Sequence, residues 1–330
     1  MSYNKSENKF LSPMKDLLYC FLESKKAAGY KYREEERSLF ILDKFLNTTL
    51  SSHEDPFINC DIVRQYIAKW GNESDTTRMH RLSLLRQFCL FLSFDDPRTF
   101  VPPRRFMGIK RCVFTPRILT RIECKKFVEA CSKFPNSYNS PLRGTVLGTA
   151  LLTLFFTGIR AGEALRLTIQ DIDLCSSTLH IRDTKFGKFR YVPISHDVRD
   201  RLYLCKENII QKIGSRNLSD PFFCTSTGLS YSISALRVAF KQVISRSGIA
   251  VGGNIRMHDL RHNAAMLRML LWYEEGVNLE AKLPTLATYM GHKNLMSTQK
   301  YLHLTKELLI PIMNRYQARF GHIINDGGMP

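Results

Sequence analysis

The chain has 330 residues, too many for one small core and enough for two domains. Its composition, 44% hydrophobic and 24% charged, excludes a disordered chain, and no apolar run approaches the roughly 20 residues that span a membrane, so we expect a cytoplasmic protein. A formal net charge of +18 predicts an acidic partner, with nucleic acid favoured over a membrane surface.

Residues 1–98 are predicted to form a small helical domain. Ser12 and Pro13 indicate the start of a first helix, because serine caps helices and proline favours their first position, and Gly29 indicates its end. Apolar residues recur at helical spacing in residues 34–46, 62–70 and 77–92. Amphipathic helices of this kind bury their apolar stripes against one another as a bundle.

Residues 99–118 combine prolines with a cluster of positive charges and are predicted to link two domains. The basic residues include Arg104, Arg105, Lys110 and Arg111. A solvated surface loop has the same composition. We favour contact with a nucleic acid backbone, because cations placed beside it neutralise phosphates.

Residues 119–305 are predicted to form a second, mostly helical domain. Thr120 and Glu123 match a capping box at the start of its first helix. Two short strands, at residues 178–182 and 190–194, flank a glycine-containing hairpin turn. The predicted fold class is therefore mainly α (α+β), with a small antiparallel sheet.

Gly158 predicts the end of a helix just before Arg160 and Glu163, so that the arginine lies at the start of the next helix. A guanidinium stays charged and binds two phosphate oxygens at once, so Arg160 is suited to holding a phosphate. Glu163 falls on the same helical face and is expected to fix the arginine. An ordinary surface ion pair would give the same pattern.

His258 and Arg261 are three residues apart, so on a helix they project to one side. One charged group and one titratable imidazole then face a common point. His292 follows Gly291, which predicts a left-handed cap that ends a helix and fixes the position of the histidine. Each motif alone is also typical of a solvated helix face or of a capping histidine.

Tyr301 lies nine residues after His292 and is the candidate nucleophile. A free phenol has a pKa of about 10, so a catalytic tyrosine needs a base or cations beside it. The two arginines and two histidines supply both. Lys185, in the predicted hairpin turn, can protonate a departing oxygen as a general acid, and Lys188 on the same turn competes for this role.

Nine cysteines are dispersed without a Cys-x-x-Cys pair, which indicates reduced thiols rather than a disulfide framework. Cys20, Cys89 and Cys131 fall in predicted helices, where we expect buried thiols that act as small apolar residues. We predict no metal site and no cofactor.

In order and spacing these residues resemble the tyrosine recombinase/integrase family. That family carries Thr-Gly-x-Arg-x-x-Glu, a hairpin lysine, His-x-x-Arg, Gly-His and then a tyrosine at the same distance as here. The matching positions are Arg160, Glu163, Lys185, His258, Arg261, Gly291, His292 and Tyr301. The resemblance covers about residues 120–305. One departure is the segment between the second arginine and Gly-His, where residues 272–284 are expected to form an inserted loop.

The resemblance implies a mechanism. Tyr301 would attack a DNA phosphate, giving a 3′-phosphotyrosyl link and a free 5′-hydroxyl, while the two arginines and His292 hold the non-bridging oxygens. Lys185 would protonate the leaving oxygen, and His258 would assist proton transfer at the tyrosine. One ester replaces another of similar energy, so neither ATP nor a metal is required.

The resemblance also implies partners. Residues 1–98 are similar to the family's core-binding domain, which clamps double-stranded DNA together with the catalytic domain. Four protomers would build a synapse on DNA from a transposon, a phage or the chromosome, with partner recombinases or accessory proteins as further candidates. An apolar stripe in residues 306–330 would contact the neighbouring protomer or pack on its own domain, and both arrangements stay open.

Two other activities stay open on the same chemistry. A type IB topoisomerase uses a similar active site but relaxes supercoils without pairing two sites. A catalytically idle DNA-binding regulator would keep the fold alone, and the presence of Tyr301, Lys185 and both arginines argues against it.

Overall fold

The computed structural model describes residues 9–51, 55–109, 116–182, 189–249 and 255–291. The chain divides into two compact units, Met1–Phe114 and Thr115–Pro330, called unit 1 and unit 2 below. Within the described residues, no helix is both long enough and apolar enough to cross a membrane.

Unit 1 is a bundle of helices around one apolar core, as predicted. Its helices are α1 (Lys15–Ala27), α2 (Arg33–Leu50), α3 (Cys60–Ile67) and α4 (Asp75–Leu92). Phe21, Leu42 and Phe88 are fully buried between them. Each helix therefore contributes an apolar stripe to a shared interior, and the polar faces remain in solvent.

The predicted start of the first helix is wrong, because Ser12 precedes the helix rather than capping it. The buried Asp43 carboxylate accepts the backbone N–H of Leu11 at 2.8 Å and that of Ser12 at 3.0 Å. These two bonds hold the chain in a bend, and α1 begins only at Lys15.

The predicted burial of the cysteines is confirmed for Cys89 and Cys131, and it is wrong for Cys20, which is exposed. The residues of α1 that face the core are Leu18, Phe21 and Leu22. Cys20 belongs to the opposite side of the helix, which a pattern of apolar residues alone does not distinguish.

The third helix ends earlier than predicted, at Ile67 rather than at residue 70. Arg78 donates to the carbonyl of Ile67 at 3.0 Å, and Arg81 donates to the carbonyl of Ala68 at 2.9 Å. The Arg81 guanidinium also lies 3.7 Å from the ring centroid of Trp70, a cation–π contact. Arginines of α4 thus donate hydrogen bonds to the carbonyls at the end of α3.

Residues 99–109, the first part of the predicted linker, pack on unit 1. Phe100 donates its backbone N–H to the carbonyl of Ile58 at 2.8 Å, and Arg86 donates to the carbonyl of Pro102 at 3.0 Å. This proline-containing segment is therefore held against the helices of unit 1.

Unit 2 is mostly helical. Its helices within the described residues are α5 (Arg121–Ser132), α6 (Arg143–Thr157), α7 (Ala161–Ala164), α8 (His196–Ile213), α9 (Ile233–Ser247), α10 (Asp259–Glu274) and α11 (Leu279–Met290), with a 3-10 turn at Ile169–Asp171. The predicted capping box of Thr120 and Glu123 starts α5. Nearly every residue of α6 is buried, so this helix forms the centre of the unit.

The sheet of unit 2 has three antiparallel strands in chain order: β1 (Ile172–Asp173), β2 (Thr178–Ile181) and β3 (Arg190–Pro193). The pairing of β2 with β3 confirms the predicted hairpin, with Ile181 opposite Arg190. The sequence does not predict β1, because two residues are too few to show an alternating pattern.

The expected inserted loop at residues 272–284 is wrong, since α10 and α11 occupy most of it. Asn278 caps α11 by accepting the backbone N–H groups of Glu280 and Ala281. Pro284 lies inside this helix, and the buried Leu283 and Met290 on its inner face pack with α10 residues in one apolar cluster. Burial of that face offsets the hydrogen bond that the proline cannot donate.

We predict that Phe127→Ala destabilises unit 2 by about 3–5 kcal/mol, because truncating a buried aromatic residue leaves a cavity. Phe127 is 0% exposed, and its ring lies 5.2 Å from that of Phe155. Ile122→Ala, in the same helix at 68% exposure, is the matched control and should change the unfolding free energy by less than about 0.5 kcal/mol. Urea denaturation measures the unfolding free energy of both variants. Equal losses would contradict the burial of Phe127 in the core of unit 2.

Candidate active site

Arg160 is held at a helix start, as predicted. Gly158 ends α6 in the left-handed conformation, with φ +66°, and Arg160 is the extended N-cap residue of α7. A Cβ at Gly158 would lie 3.0 Å from the Cβ of Ala264 in α10, so both the backbone angle and the close packing require glycine. The backbone that precedes Arg160 therefore has little conformational freedom.

Glu163 is the buried partner of Arg160, and the alternative of an ordinary surface ion pair is wrong. Its side chain is only 2% exposed. One carboxylate oxygen accepts from Arg160 Nη1 at 2.8 Å and the other from the Arg160 backbone N–H at 2.9 Å. Arg190 donates to both oxygens, at 3.3 Å from Nη1 and 2.9 Å from Nη2. One carboxylate therefore fixes two arginines.

The environment of Glu163 favours its charged form. Burial alone would raise its pKa, but the hydrogen bonds and charge of Arg190 and the donors of Arg160 outweigh burial and lower the pKa to about 2. The group is therefore an anion throughout the neutral range. Its negative charge keeps the two guanidinium groups together in a buried place.

Arg261 is buried in the first turn of α10. Its Nη1 donates to the carbonyl of Gly158 at 2.6 Å, and its Nη2 donates to the carbonyl of Met290. Arg261 therefore joins the end of α6 to the end of α11, which lies next to His292 in the chain.

Three arginines bind three successive carbonyls at the end of α11. Arg190 Nε donates to the carbonyl of Tyr289 at 2.9 Å, Arg261 to that of Met290, and Arg160 Nη2 to that of Gly291 at 3.1 Å. The last carbonyls of a helix have no partner within it and form its negative end, so cations are favoured there. Both predicted arginines and one that was not predicted therefore meet at one turn.

Gly291 ends α11 in the left-handed conformation that the sequence predicts, with φ +64°. A Cβ at this position would lie 2.8 Å from Nη1 of Arg190. Glycine therefore satisfies the backbone angle and also lets the guanidinium lie against the turn. His292 is the next residue and lies outside the described residues.

His258 is the exposed N-cap residue of α10, and its ring lies 5.3 Å from that of His262, edge to face. Although the residue as a whole is exposed, its ring is partly buried, and this burial, followed by the charge of Arg261, lowers the pKa of His258. Burial, and then the charge of His258, lower the pKa of His262 to about 4. A lowered pKa favours the neutral imidazole, the form that can accept a proton, and the pKa of His262 makes that ring a weak base.

The structure brings together Arg160, Glu163 and Arg261 at the end of α11, and His258 lies near enough for the charges of Arg261 and Arg160 to lower its pKa. Four of the predicted residues lie outside the described residues: Lys185, Lys188, His292 and Tyr301. So do Lys110 and Arg111, while Arg104 and Arg105 are exposed in unit 1.

Arg190 is a residue of this site that the motif analysis does not identify. A signal is present in the sequence, because Arg190 and Val192 share one face of β3 and Val192 is fully buried. A charged residue on the inward face of a strand needs a partner. The sequence does not reveal that this partner is Glu163.

Comparison with known proteins identifies relatives of this chain. Residues 117–307 match the phage integrase family. A protein of Sinorhizobium fredii named as an integrase/recombinase (y4rE) is 31% identical over 88% of this chain and 91% of its own length. The tyrosine recombinase XerC of Oceanobacillus iheyensis is 27% identical over 86% of this chain and 89% of its own. In fold, the chain is similar to the Tn1549 transposon integrase in complex with transposon right end DNA, at 14% identity, a TM-score of 0.60, and coverage of 86% and 94% of the two chains.

We predict that Glu163→Gln lowers the unfolding free energy by about 3–5 kcal/mol at neutral pH, because it leaves two arginines without their buried counter-charge. Burial raises the pKa of Glu163, but the two arginines outweigh burial and lower this pKa from 4.5 to about 2, so the stabilising effect of the carboxylate is complete above pH 4.5 and is lost as the pH falls towards 2. The stability difference between parent and variant should therefore shrink over this range.

Urea denaturation between neutral and acidic pH measures this difference. Glu129→Gln, on the exposed surface of α5, is the control, and it should change stability by less than about 0.5 kcal/mol. A difference for Glu163→Gln that does not depend on pH would show that the charge of the carboxylate does not stabilise the site.

Proposed function

The chain belongs to the phage integrase family and is a tyrosine-type site-specific DNA recombinase, and we propose that it cuts and rejoins duplex DNA through a covalent link between Tyr301 and a 3′ phosphate. The observation that carries this proposal is the meeting of Arg160 and Arg261 at the turn that directly precedes His292. Cations fixed in this way suit the stabilisation of a phosphate whose negative charge grows in the transition state.

Arg160, Arg261 and His292 hold the non-bridging oxygens of the scissile phosphate in this proposal. Glu163 and the Gly291 carbonyl fix the Arg160 guanidinium, while 31% of that side chain remains exposed. A guanidinium positioned before DNA binds does not need to reorganise during the reaction.

His258 accepts the proton of Tyr301, whose oxygen then forms a bond to phosphorus. The lowered pKa of His258 leaves it neutral, as a proton acceptor must be. The bond from phosphorus to the deoxyribose 5′-oxygen breaks, and Lys185 gives that oxygen a proton, with Lys188 as the competing donor. Bond energy is kept in the phosphotyrosine ester, so rejoining needs no ATP and the proposed steps use no metal or cofactor.

Both units contact duplex DNA in this proposal. The exposed Arg104 and Arg105 of unit 1, together with Lys110, Arg111 and Lys188, neutralise backbone phosphates. The net charge of +18 favours such contacts over the whole chain.

We further propose that four copies assemble on DNA, with or without partner recombinases, to recombine the ends of a mobile element or a chromosomal site. An apolar groove in unit 2 offers a surface for self-association. It is lined by side chains that include Phe156, Leu267, Leu271 and Trp272. The apolar stripe of residues 306–330, outside the described residues, is the segment that we expect to cover an apolar surface, in its own copy or in a neighbour.

We predict that the protein forms a covalent adduct with a suicide DNA substrate, nicked near the scissile phosphate and drawn from the ends of its own genetic element. Tyr301→Phe should abolish the adduct, because it removes the attacking oxygen while keeping the ring. Denaturing gel electrophoresis measures the adduct. Tyr203→Phe, at an exposed tyrosine of α8, is the matched control and should form the adduct like the parent.

The outcomes separate the candidate functions. Tight DNA binding without an adduct would contradict the proposal and favour a DNA-binding regulator. An adduct accompanied by relaxation of supercoiled DNA carrying a single site would favour a type IB topoisomerase. Products joined from two sites require a recombinase.

We predict that Arg104→Ala/Arg105→Ala weakens DNA binding about equally for specific and unrelated duplexes, because phosphate contacts carry no sequence information. Each lost contact should reduce the slope of log K against log salt by about one. Fluorescence anisotropy across a salt series measures both. Arg37→Ala, an exposed arginine of α2 paired with Glu34, is the control, and an equal loss there would indicate a general charge effect.

A further inference from the structure

Arg190 is a nearly buried arginine whose charge the proposed reaction does not use. Its side chain is 9% exposed. Its Nε donates to the Tyr289 carbonyl, and its Nη1 and Nη2 both donate to Glu163. All three nitrogens of the guanidinium are therefore committed to protein oxygens.

These contacts connect two parts of the site. Through Glu163, Arg190 is linked to the guanidinium of Arg160. Through the Tyr289 carbonyl, it is linked to the turn before His292. Arg190 is also the first residue of β3, close in the chain to Lys185.

Arg190 and Arg160 differ in the exposure of their side chains and in how many of their nitrogens bind protein groups. Arg160 commits Nη1 to Glu163 and Nη2 to the Gly291 carbonyl, and 31% of its side chain is exposed. Arg190 makes three contacts and has less than a third of that exposure. A phosphate that approaches from solvent therefore meets Arg160, while Arg190 stays behind Glu163.

We propose that Arg190 is a positioning residue that holds Arg160 and the end of α11 in place without touching DNA. This inference rests on the proposed function for its effect on catalysis. Its effect on the end of α11 does not depend on that function. A bidentate contact with Glu163 and a third bond to a carbonyl require the planar fork of an arginine, so lysine is only a partial substitute.

The first test compares Arg190→Met and Arg190→Lys with the parent in single-turnover cleavage of the suicide substrate at saturating DNA. Arg190→Met should slow cleavage by about 100-fold, the typical effect of a small misplacement of catalytic groups, with DNA affinity unchanged. Arg190→Lys should recover part of the rate. Arg199→Met, at an arginine of α8 that is paired with the exposed Asp200, is the control and should cleave like the parent.

A substrate with a neutral methylphosphonate at the scissile position distinguishes positioning from phosphate contact. A cation that neutralises the phosphate is less necessary on this substrate. The neutral substrate should therefore partly restore the cleavage rate of Arg160→Ala. In an Arg160→Ala background, the further effect of Arg190→Met should be the same on the charged and the neutral substrate, because what remains of it acts through the end of α11 and not through the phosphate charge. A smaller effect of Arg190→Met on the neutral substrate in that background would make Arg190 a phosphate ligand and would overturn the proposal.

A second variant tests the route through Glu163. In a double-mutant cycle, Arg190→Met combined with Glu163→Gln should reduce the rate by less than the product of the two single effects, because both changes disrupt one contact. Independent effects would contradict the proposed link to Arg160.

Amide hydrogen exchange without DNA provides a readout that does not need cleavage. Arg190→Met should speed exchange at the end of α11, at Met290 and Gly291, because the capped turn opens more often. Arg199→Met should leave the exchange rate unchanged. Failure of the parent to cleave DNA, with this change in exchange present, would remove the proposed function and leave the structural role. An unchanged exchange rate would overturn that role.

Discussion

The binding of three guanidinium groups to the last carbonyls of α11 is the interaction on which the site depends. These carbonyls belong to Tyr289, Met290 and Gly291, and each receives one arginine. A helix end requires partners for its carbonyls and favours positive charge. Arginine meets both requirements, because its several N–H groups can bind protein and ligand at the same time. The turn that precedes His292 is thereby fixed by the groups that we expect to act with it.

Glu163 makes this concentration of charge stable without neutralising it. Burying guanidinium groups is costly unless a counter-charge and hydrogen bonds compensate. Glu163 supplies one negative charge to Arg160 and Arg190, and Arg261 is held by backbone carbonyls. Among these four side chains positive charge is in excess. That excess suits an anionic ligand and explains why the carboxylate is buried behind the arginines rather than placed at the surface.

The sequence predicts the local parts of the site better than its tertiary contacts. Gly158 and Gly291 as left-handed caps, and Arg160 at a helix start, follow from local backbone rules. The burial of Glu163 does not, because the same three-residue spacing occurs in exposed pairs. Arg190 reaches residues 27 and 99 positions away, and Arg160 reaches one 131 positions away, so only the fold brings them together. The error at residues 272–284 has a similar origin, since packing on α10 keeps a proline-containing segment helical.

The arrangement also indicates how one set of arginines can stabilise the fold and serve the reaction. Arg160 and Arg261 each donate through Nη1 and Nη2 to groups of the protein, which fixes the plane of each guanidinium. The Arg160 guanidinium, with 31% of its side chain exposed, then has a defined direction for its other donors. In Arg190, by contrast, Nε, Nη1 and Nη2 all donate to protein oxygens. The three arginines therefore share one turn, but donor pattern and exposure separate Arg160, which is suited to binding a phosphate, from Arg190, which is suited to holding Arg160 in place.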